Sequence, residues 1–308
     1  MDAPFLQHIG PRERSPVRWA AWLGITVVLA LFSLLFVSAV LEALNLAALV
    51  TRGGEGPLPD GPGRLLDETR FTFAISALLI TLALAVLYGA RLAFARPGWT
   101  FVAPARPFRM RLLLLGFGLF GALLLAGLLL ESVLRGEPLA APVLEPGYPV
   151  SDRLIYAGGA VLFLLIAAAA EEILFRGVLL QFTAAFTRSL PVLLVINGVI
   201  FSAFHADPSP GAFVARAVSG AVWAWTVLRL SGMEFALGAH LANNLMLCLL
   251  VEPISEGGQV GRDFPIGAVA ADLAMTAAMV MLLLAALRSP RVQGWAAVDA
   301  PAAPLRRA

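Results

Sequence analysis

Residues 154–180 read LIYAGGAVLFLLIAAAAEEILFRGVLL, and the fold turns on how this stretch is understood. From Leu154 to Ala170 it carries no charge. It is apolar for longer than a buried strand and shows no two-residue alternation, so it reads as a helix. A helix crossing about 30 Å of hydrocarbon needs about 20 residues, and lipid admits only helices or closed barrels because every backbone group must find a partner. The same run then does what a passive span avoids: it carries Glu171, Glu172 and Arg176 among its apolar residues.

Working outward, seven more apolar stretches appear at 17–42, 71–91, 111–131, 190–206, 212–230, 234–251 and 267–287. The expected fold is all-α, a polytopic membrane helix bundle of about eight transmembrane helices. Composition agrees. The 308 residues are 59% hydrophobic and 14% charged, whereas about a quarter of a soluble domain is charged. The mean hydropathy is +0.85. The stretch 190–206 is short for a span and reads as tilted, partial, or fed by a protruding turn. The breaks 51–70 and 135–153 are rich in Gly, Pro and charge or in Pro, and the Pro/Ala-rich end from Ser289 reads as an unfolded tail. The first 16 residues are polar, and no small-residue cleavage site follows, so the first apolar run reads as a retained helix rather than a leader.

All 22 basic residues are Arg, and with the Ala, Leu, Gly and Pro bias this reads as a GC-rich, bacterial coding background. Arg placement sets the orientation. Arg12, Arg14 and Arg18, then Arg91, Arg96, Arg106, Arg109 and Arg111, then Arg288, Arg291, Arg306 and Arg307 fall on one side if there are eight spans. The other side has mixed charge, with Glu137, Glu145, Glu252, Glu256 and Asp263. Both termini are therefore expected in the cytoplasm, with the chain in the bacterial cytoplasmic membrane. A net charge of +2 gives no sign of nucleic acid, and none is expected as a partner. The single Cys, Cys248, excludes an intrachain disulfide and a cysteine zinc cluster.

An ionisable residue at the centre of a spanning helix costs roughly 2.5–3.5 kcal/mol on insertion scales, so it survives where it pairs, faces the bundle interior or does work. Glu172 and Arg176 are four residues apart and share a helix face, which suits an ion pair. Glu171 is turned about 100° away from Glu172 and is left less restrained, which suits a general base. The bland alternative is a pair of Glu at a helix end with one snorkelling to the interface. His205 ends its stretch in VIFSAFHADP, and His240 lies inside the next-but-one in LGAHLANNLML, with Asn244 one turn further on the same face. Taken singly these read as a helix-end His and as interhelical hydrogen-bond glue; His8, in the polar N-terminus, has no assigned role. Taken together they supply acid, base and amide donors on three spans, a set that supports amide hydrolysis. Glu171 takes a proton from water, His205 helps position that water, and His240 with Asn244 donates to an oxyanion. Two His and a Glu also make a zinc set, Glu171, His205 and His240, with water in the fourth position. No H-E-x-x-H helix is present, and Asn244 is a better oxyanion donor than zinc ligand, so no cofactor is required in the favoured reading and zinc is the alternative.

The order E-E-x-x-x-R (Glu171, Glu172, Arg176), F-x-x-x-H (Phe201, His205) and H-x-x-x-N (His240, Asn244) resembles the CAAX protease and bacteriocin-processing family of intramembrane proteases, also called CPBP or Abi, which includes the Ras-converting CAAX endoprotease. The resemblance covers roughly residues 155–250. It implies an eight-helix bundle with a cavity reaching into the membrane, in which the first Glu and first His activate water and the second His and the Asn form the oxyanion hole. It also implies an intramembrane endopeptidase, a family often labelled metalloprotease, whose partners are membrane lipid and a membrane-associated peptide or protein substrate. The chain then divides into a cytoplasmic segment 1–16, N-terminal helices and loops 17–150, a catalytic transmembrane core 151–252, a last loop and helix 253–288, and a disordered cytoplasmic tail 289–308.

Two matters stay open at this level. A non-enzymatic transporter or scaffold can use the same polar cluster for ion passage or packing, although a proton path has no need of Asn244. Depth is also in tension. Counted at about 1.5 Å per residue, Glu171 lies nearer the cytoplasmic end of a span closing at 180, while His205 lies about 20 Å in from that side. A shared site requires shifted spans, or tilted or broken helices around a water-filled cavity.

Overall fold

The computed structural model describes residues 3–61, 63–104, 107–139, 141–207, 209–257 and 265–297. Arg106, Asp263, Arg306, Arg307 and the tail from 298 lie outside the described residues. Among those described there is no strand; the chain is a succession of helices. These are α1 (Pro16–Ala43), α2 (Ala47–Glu55), α3 (Arg64–Phe94), α4 (Trp99–Val102), α5 (Met110–Arg135), α6 (Val150–Glu172), α7 (Leu180–Phe186), α8 (Leu190–Phe204), α9 (Pro210–Leu230), α10 (Glu234–Leu250), α11 (Ile254–Gly257), α12 (Ile266–Ala286) and α13 (Pro290–Ala296). Between α6 and α7 the helix continues without a break as a π-turn over Ile173–Leu179. Six rods are long and apolar enough to cross a membrane: α1, α3, α5, the continuous Val150–Phe186, α9 and α12. The shorter apolar α8 and α10 complete the eight expected from sequence.

Side-chain contacts fix the running directions. Arg18 reaches Ala93 O at 2.7 Å and Trp22 reaches Val86 O at 3.4 Å, so α1 and α3 are antiparallel. Thr69 lies against Gly159 and Ser76 donates to Phe163 O at 2.8 Å, so α3 and α6 are parallel. Gly116 meets Phe235 and Gly121 meets Ala242, so α5 and α10 are parallel. Tyr156 donates to Cys248 O at 2.7 Å, whereas Glu172 meets His240, so α6 and α10 are antiparallel. Ser202 donates to Phe213 O at 2.8 Å, while Gly198 packs on Ala217 and Ala221, so α8 and α9 are antiparallel. The rods thus alternate along the chain as successive membrane crossings must. The two described chain ends lie at the same end of the bundle, where Arg14 donates to Ala185 O at 2.8 Å and Arg109 to Ala296 O at 3.2 Å and Leu230 O at 2.8 Å.

The termini are more ordered than their composition suggests. Residues 4–6 and 11–14 form short 3-10 turns, and Phe5 and Leu6 are buried, their turn packing against α9. The tail read as unfolded from 289 opens with α13, started by Pro290 and anchored by Val292. Trp295, with the Arg111 guanidinium 5.9 Å from its ring, packs on the α5 side. Hydrophobic anchors spaced among polar residues supply what composition averaged away. Likewise the 51–70 break is helical at both ends, in α2 and α3. Its outer side is tied by buried Glu68, which accepts from Ser255 Oγ.

Lipid offers no hydrophobic drive between helices, so close backbone approach matters. A Cβ on Gly116 would strike the Phe235 carbonyl, and one on Gly238 the Leu113 carbonyl, so α5 and α10 touch backbone to backbone. Gly238→Leu is expected to separate them and sharply lower the yield of monodisperse protein on gel filtration, whereas Gly118→Ala, where a Cβ meets nothing within 4 Å, is expected to leave it unchanged.

Candidate active site

The depth problem disappears once the rod is followed to its end. The helix read as closing at 180 runs to Phe186. Fifteen residues then separate Glu171 from Phe186, and fifteen separate Leu190 from His205. Because α7 and α8 form a hairpin through 187–189, both side chains stand at one height, about 22 Å from the turn at 1.5 Å per residue.

Three elements deliver the charged groups. At the end of α6, Glu171 and Glu172 are both buried. Glu172 Oε1 lies 3.3 Å from Arg176 Nη1, the ion pair anticipated from their spacing. The same oxygen accepts from His240 Nδ1 at 3.0 Å. Arg176 itself is 0% exposed. Its guanidinium lies 4.3 Å from the Phe201 ring centre and 5.3 Å from that of Trp223, and Nη2 donates to Gly220 O at 3.2 Å. Aromatic faces and a carbonyl thus take part of the role of water around this cation. The π-turn brings it there. Widening to i→i+5 bonding, often found at functional positions, is marked by the Leu180 N–H donating to Phe175 O.

Glu171 is held differently. Among the described residues its buried Oε2 has no hydrogen-bond partner, as is also true of Glu172 Oε2, but His205 Nε2 stands 3.9 Å from it and His240 Nε2 3.8 Å. His205 Nδ1 is 2.9 Å from Phe201 O, and a carbonyl only accepts, so Nδ1 carries the proton. His240 Nδ1 faces a carboxylate and is likewise the donor. Both imidazoles therefore spend one N–H on a fixed acceptor and aim Nε2 at the same carboxylate oxygen. Trp223 stacks on His240 with ring centres 4.5 Å apart at 31°, fixing its plane. The left-handed Ala206 (φ 51) ends α8 directly after His205 and turns the chain away.

Five of the six residues singled out in the sequence, Glu171, Glu172, Arg176, His205 and His240, are thus in mutual contact. Asn244 is one turn beyond His240 on α10, half-buried; its Oδ1 accepts from Asn243 at 3.1 Å, and among the described residues no hydrogen bond joins it to the carboxylates. The sequence reading passed over Asn197 and Trp223. Asn197, in the otherwise apolar run VINGVIF, is 0% exposed and donates to Phe175 O at 2.8 Å. Its polarity within a span was the available signal; for Trp223 there was none.

Zinc was the alternative for Glu171, His205 and His240. Ligands about 2.1 Å from a tetrahedral zinc stand about 3.4 Å apart, and both contacts of Glu171 Oε2 exceed that. Among the described residues no group of three or more His, Cys, Asp or Glu is arranged to hold a metal ion. As placed, the trio does not fit zinc.

Comparison with known proteins now bears on this geometry. Residues 154–246, which include all six residues, match the family model described as type II CAAX prenyl endopeptidase Rce1-like. Over this segment the chain is similar to that family model, in keeping with the resemblance drawn from its three motifs. The chain is an integral membrane helical protein, and this segment of it is similar to a protease family. A curated relative from Bacillus subtilis (strain 168), described as uncharacterized protein YyaK, is 29% identical over 168 residues. That match covers 52% of this chain and 54% of the relative, so the chain spans about half the length of the curated protein it matches. No solved structure matches.

Removing one partner of a buried ion pair strands the other, at about 3–5 kcal/mol. Glu172→Ala and Arg176→Ala are each expected to lower thermal stability and folded yield in detergent. Glu171→Gln, which breaks no hydrogen bond, is expected to leave both near wild type.

Proposed function

We propose that the protein is an intramembrane endopeptidase of the CAAX protease type, cleaving a peptide bond in a membrane-associated peptide or protein. The observation that carries the reading is the unpartnered, buried Glu171 Oε2 faced by the Nε2 atoms of two histidines from two other helices. A water between these groups has an acceptor at Glu171 and, with the His205 tautomer set by Phe201 O, a second acceptor at His205 Nε2. Glu171 takes one proton as the water oxygen bonds to the peptide carbonyl carbon. The carbonyl oxygen becomes an oxyanion. Collapse breaks the C–N bond, and the proton held by Glu171 passes to the departing amine.

His240 and Asn244 serve as oxyanion donors. Nδ1–H of His240 is committed to Glu172, so donation from Nε2 requires the ring to carry both protons, with the Glu172 carboxylate as its counter-ion. Asn244 offers an amide whose N–H bonds are not used among the described residues. Glu172 and Arg176 hold the ring and the turn in place. No step needs a metal.

The reading extends to orientation. The Arg-rich end, where both described termini lie, is assigned to the cytoplasm and the membrane to the bacterial cytoplasmic membrane, on the positive-inside bias. Membrane lipid surrounds the rods. The family description names CAAX prenyl substrates, so prenylated C-terminal peptides are the first probes of choice.

Purified wild type should release product from such a peptide in lipid nanodiscs, with Glu171→Gln slower by roughly 10²–10⁴-fold; equal turnover by the Gln variant removes Glu171 as the base. Asn244→Ala should cost roughly 10²–10³ in kcat, the usual loss for one oxyanion donor, at unchanged folded yield. Tight chelation should leave turnover intact, and a loss that added zinc restores would overturn the metal-free mechanism.

A further inference from the structure

Asn197 is a polar group placed where stability does not ask for one. It lies on α8, is 0% exposed, and spends its Nδ2 on the Phe175 carbonyl at 2.8 Å. That carbonyl is already satisfied by the Leu180 N–H through the π-turn's own bonding. Its other amide atom, Oδ1, is buried with no hydrogen-bond partner among the described residues. The side chain thus makes one redundant bond and leaves one acceptor stranded, and a buried acceptor without a partner is costly. An apolar residue of similar size would fill the space without that penalty.

What the redundant bond does is geometric. Phe175 O sits inside the π-turn, one residue before Arg176 and three after Glu172. The ordinary i→i+4 pattern would remove the widening that carries Arg176 inward to Glu172, Gly220 O and the faces of Phe201 and Trp223. A donor from the neighbouring helix on Phe175 O rewards the carbonyl orientation found in the wide turn. It also ties that turn to α8, the helix that ends at His205. The two sides of the site, Glu171 on α6 and His205 on α8, are thereby held in register across a hairpin whose closing turn lies about 22 Å away.

We infer that Asn197 is a positioning residue for the proposed hydrolysis: its amide pins the π-turn at Phe175 and so sets the spacing of the Glu171–Glu172 pair against His205, at a net cost in stability. The inference rests on the protease reading for its kinetic consequence, not for its structural one.

The test compares Asn197→Val and Asn197→Asp with wild type, using the full chain in nanodiscs and a prenylated CAAX-type peptide. Val removes both the pin and the stranded acceptor. It is expected to melt at or above the wild-type temperature, with kcat lowered about 10- to 100-fold, the scale of a small misplacement of reacting groups, and KM within about twofold. A variant that merely loosened the fold would show the reverse, a lower melting temperature at retained kcat. Asp has nearly the shape of Asn but donates to a carbonyl only as the neutral acid. Its activity relative to wild type is therefore expected to be highest at low pH and to fall as pH rises. Wild-type kcat in the Val variant, or an Asp variant that tracks the Val variant at every pH, overturns the inference. Hydrogen exchange supplies an arm that needs no substrate: the amides of 173–180 should exchange faster in Asn197→Val, with those of α5 and α10 unchanged. If wild type and Glu171→Gln turn over alike, the protease reading fails while the exchange result still decides the pin; unchanged exchange there overturns the pin whatever the activity.

Discussion

A guanidinium with no solvent exposure in a lipid-embedded rod is the constraint from which the rest of this site follows. Arg176 can be kept there only if carboxylate, carbonyl and aromatic faces replace its water, and no single helix can supply all of them. Glu172 comes from its own helix, Gly220 O and Trp223 from α9, and Phe201 from α8. Satisfying one cation therefore gathers three rods at one height. Glu172 then holds His240 of α10, which brings in the fourth. The order of dependence runs from charge burial to helix assembly to chemistry. It also separates two adjacent glutamates that look alike in the sequence: Glu172 is bound through Oε1 to Arg176 and His240, whereas Glu171 Oε2 is faced by the Nε2 atoms of two histidines.

The same separation appears in the histidines. Each uses Nδ1 to satisfy a fixed acceptor and presents Nε2 to Glu171. Fixing one nitrogen sets the tautomer at the other, the usual way in which surrounding hydrogen bonds tune an imidazole. The site thus contains few conformational choices. Trp223 limits ring rotation of His240, and the end of α8 limits that of His205. Groups held this way need little rearrangement when charge develops, which is the physical content of preorganisation.

Much of this was legible in the sequence. Apolar run lengths gave the rods, because hydrocarbon thickness dictates them. The spacing of Glu172 and Arg176 gave their pairing, because an α-helical face repeats every three to four residues. What could not be read was anything depending on how far a helix continues past its last strongly apolar residue. The run from Gln181 to Phe186 looked like an exit from the membrane, and the depth mismatch between Glu171 and His205 followed from that boundary. The π-turn was equally invisible, since one extra residue per turn leaves no mark on composition. Asn197 was visible but unweighed: one amide in an apolar run is ordinary helix glue until its partner is known. The buried N-terminal turns were missed because Phe5 and Leu6 are two apolar residues in a polar context, and burial there is decided by α9, more than two hundred residues away.

Those distant partners bear on how the molecule is made. Phe5 and Leu6 are made well before α9, yet their turn packs against it, and Arg14 bonds the carbonyl of Ala185. Synthesis proceeds from the N-terminus at roughly 5–20 residues per second, so this segment waits on the order of ten seconds or more for α9. Until α9 is made, Arg176 also lacks Gly220 O and the face of Trp223. This early segment is thus among the later ones to find its place, and the contact of Glu171, Glu172, Arg176 and His205 with His240 waits further still, for α10.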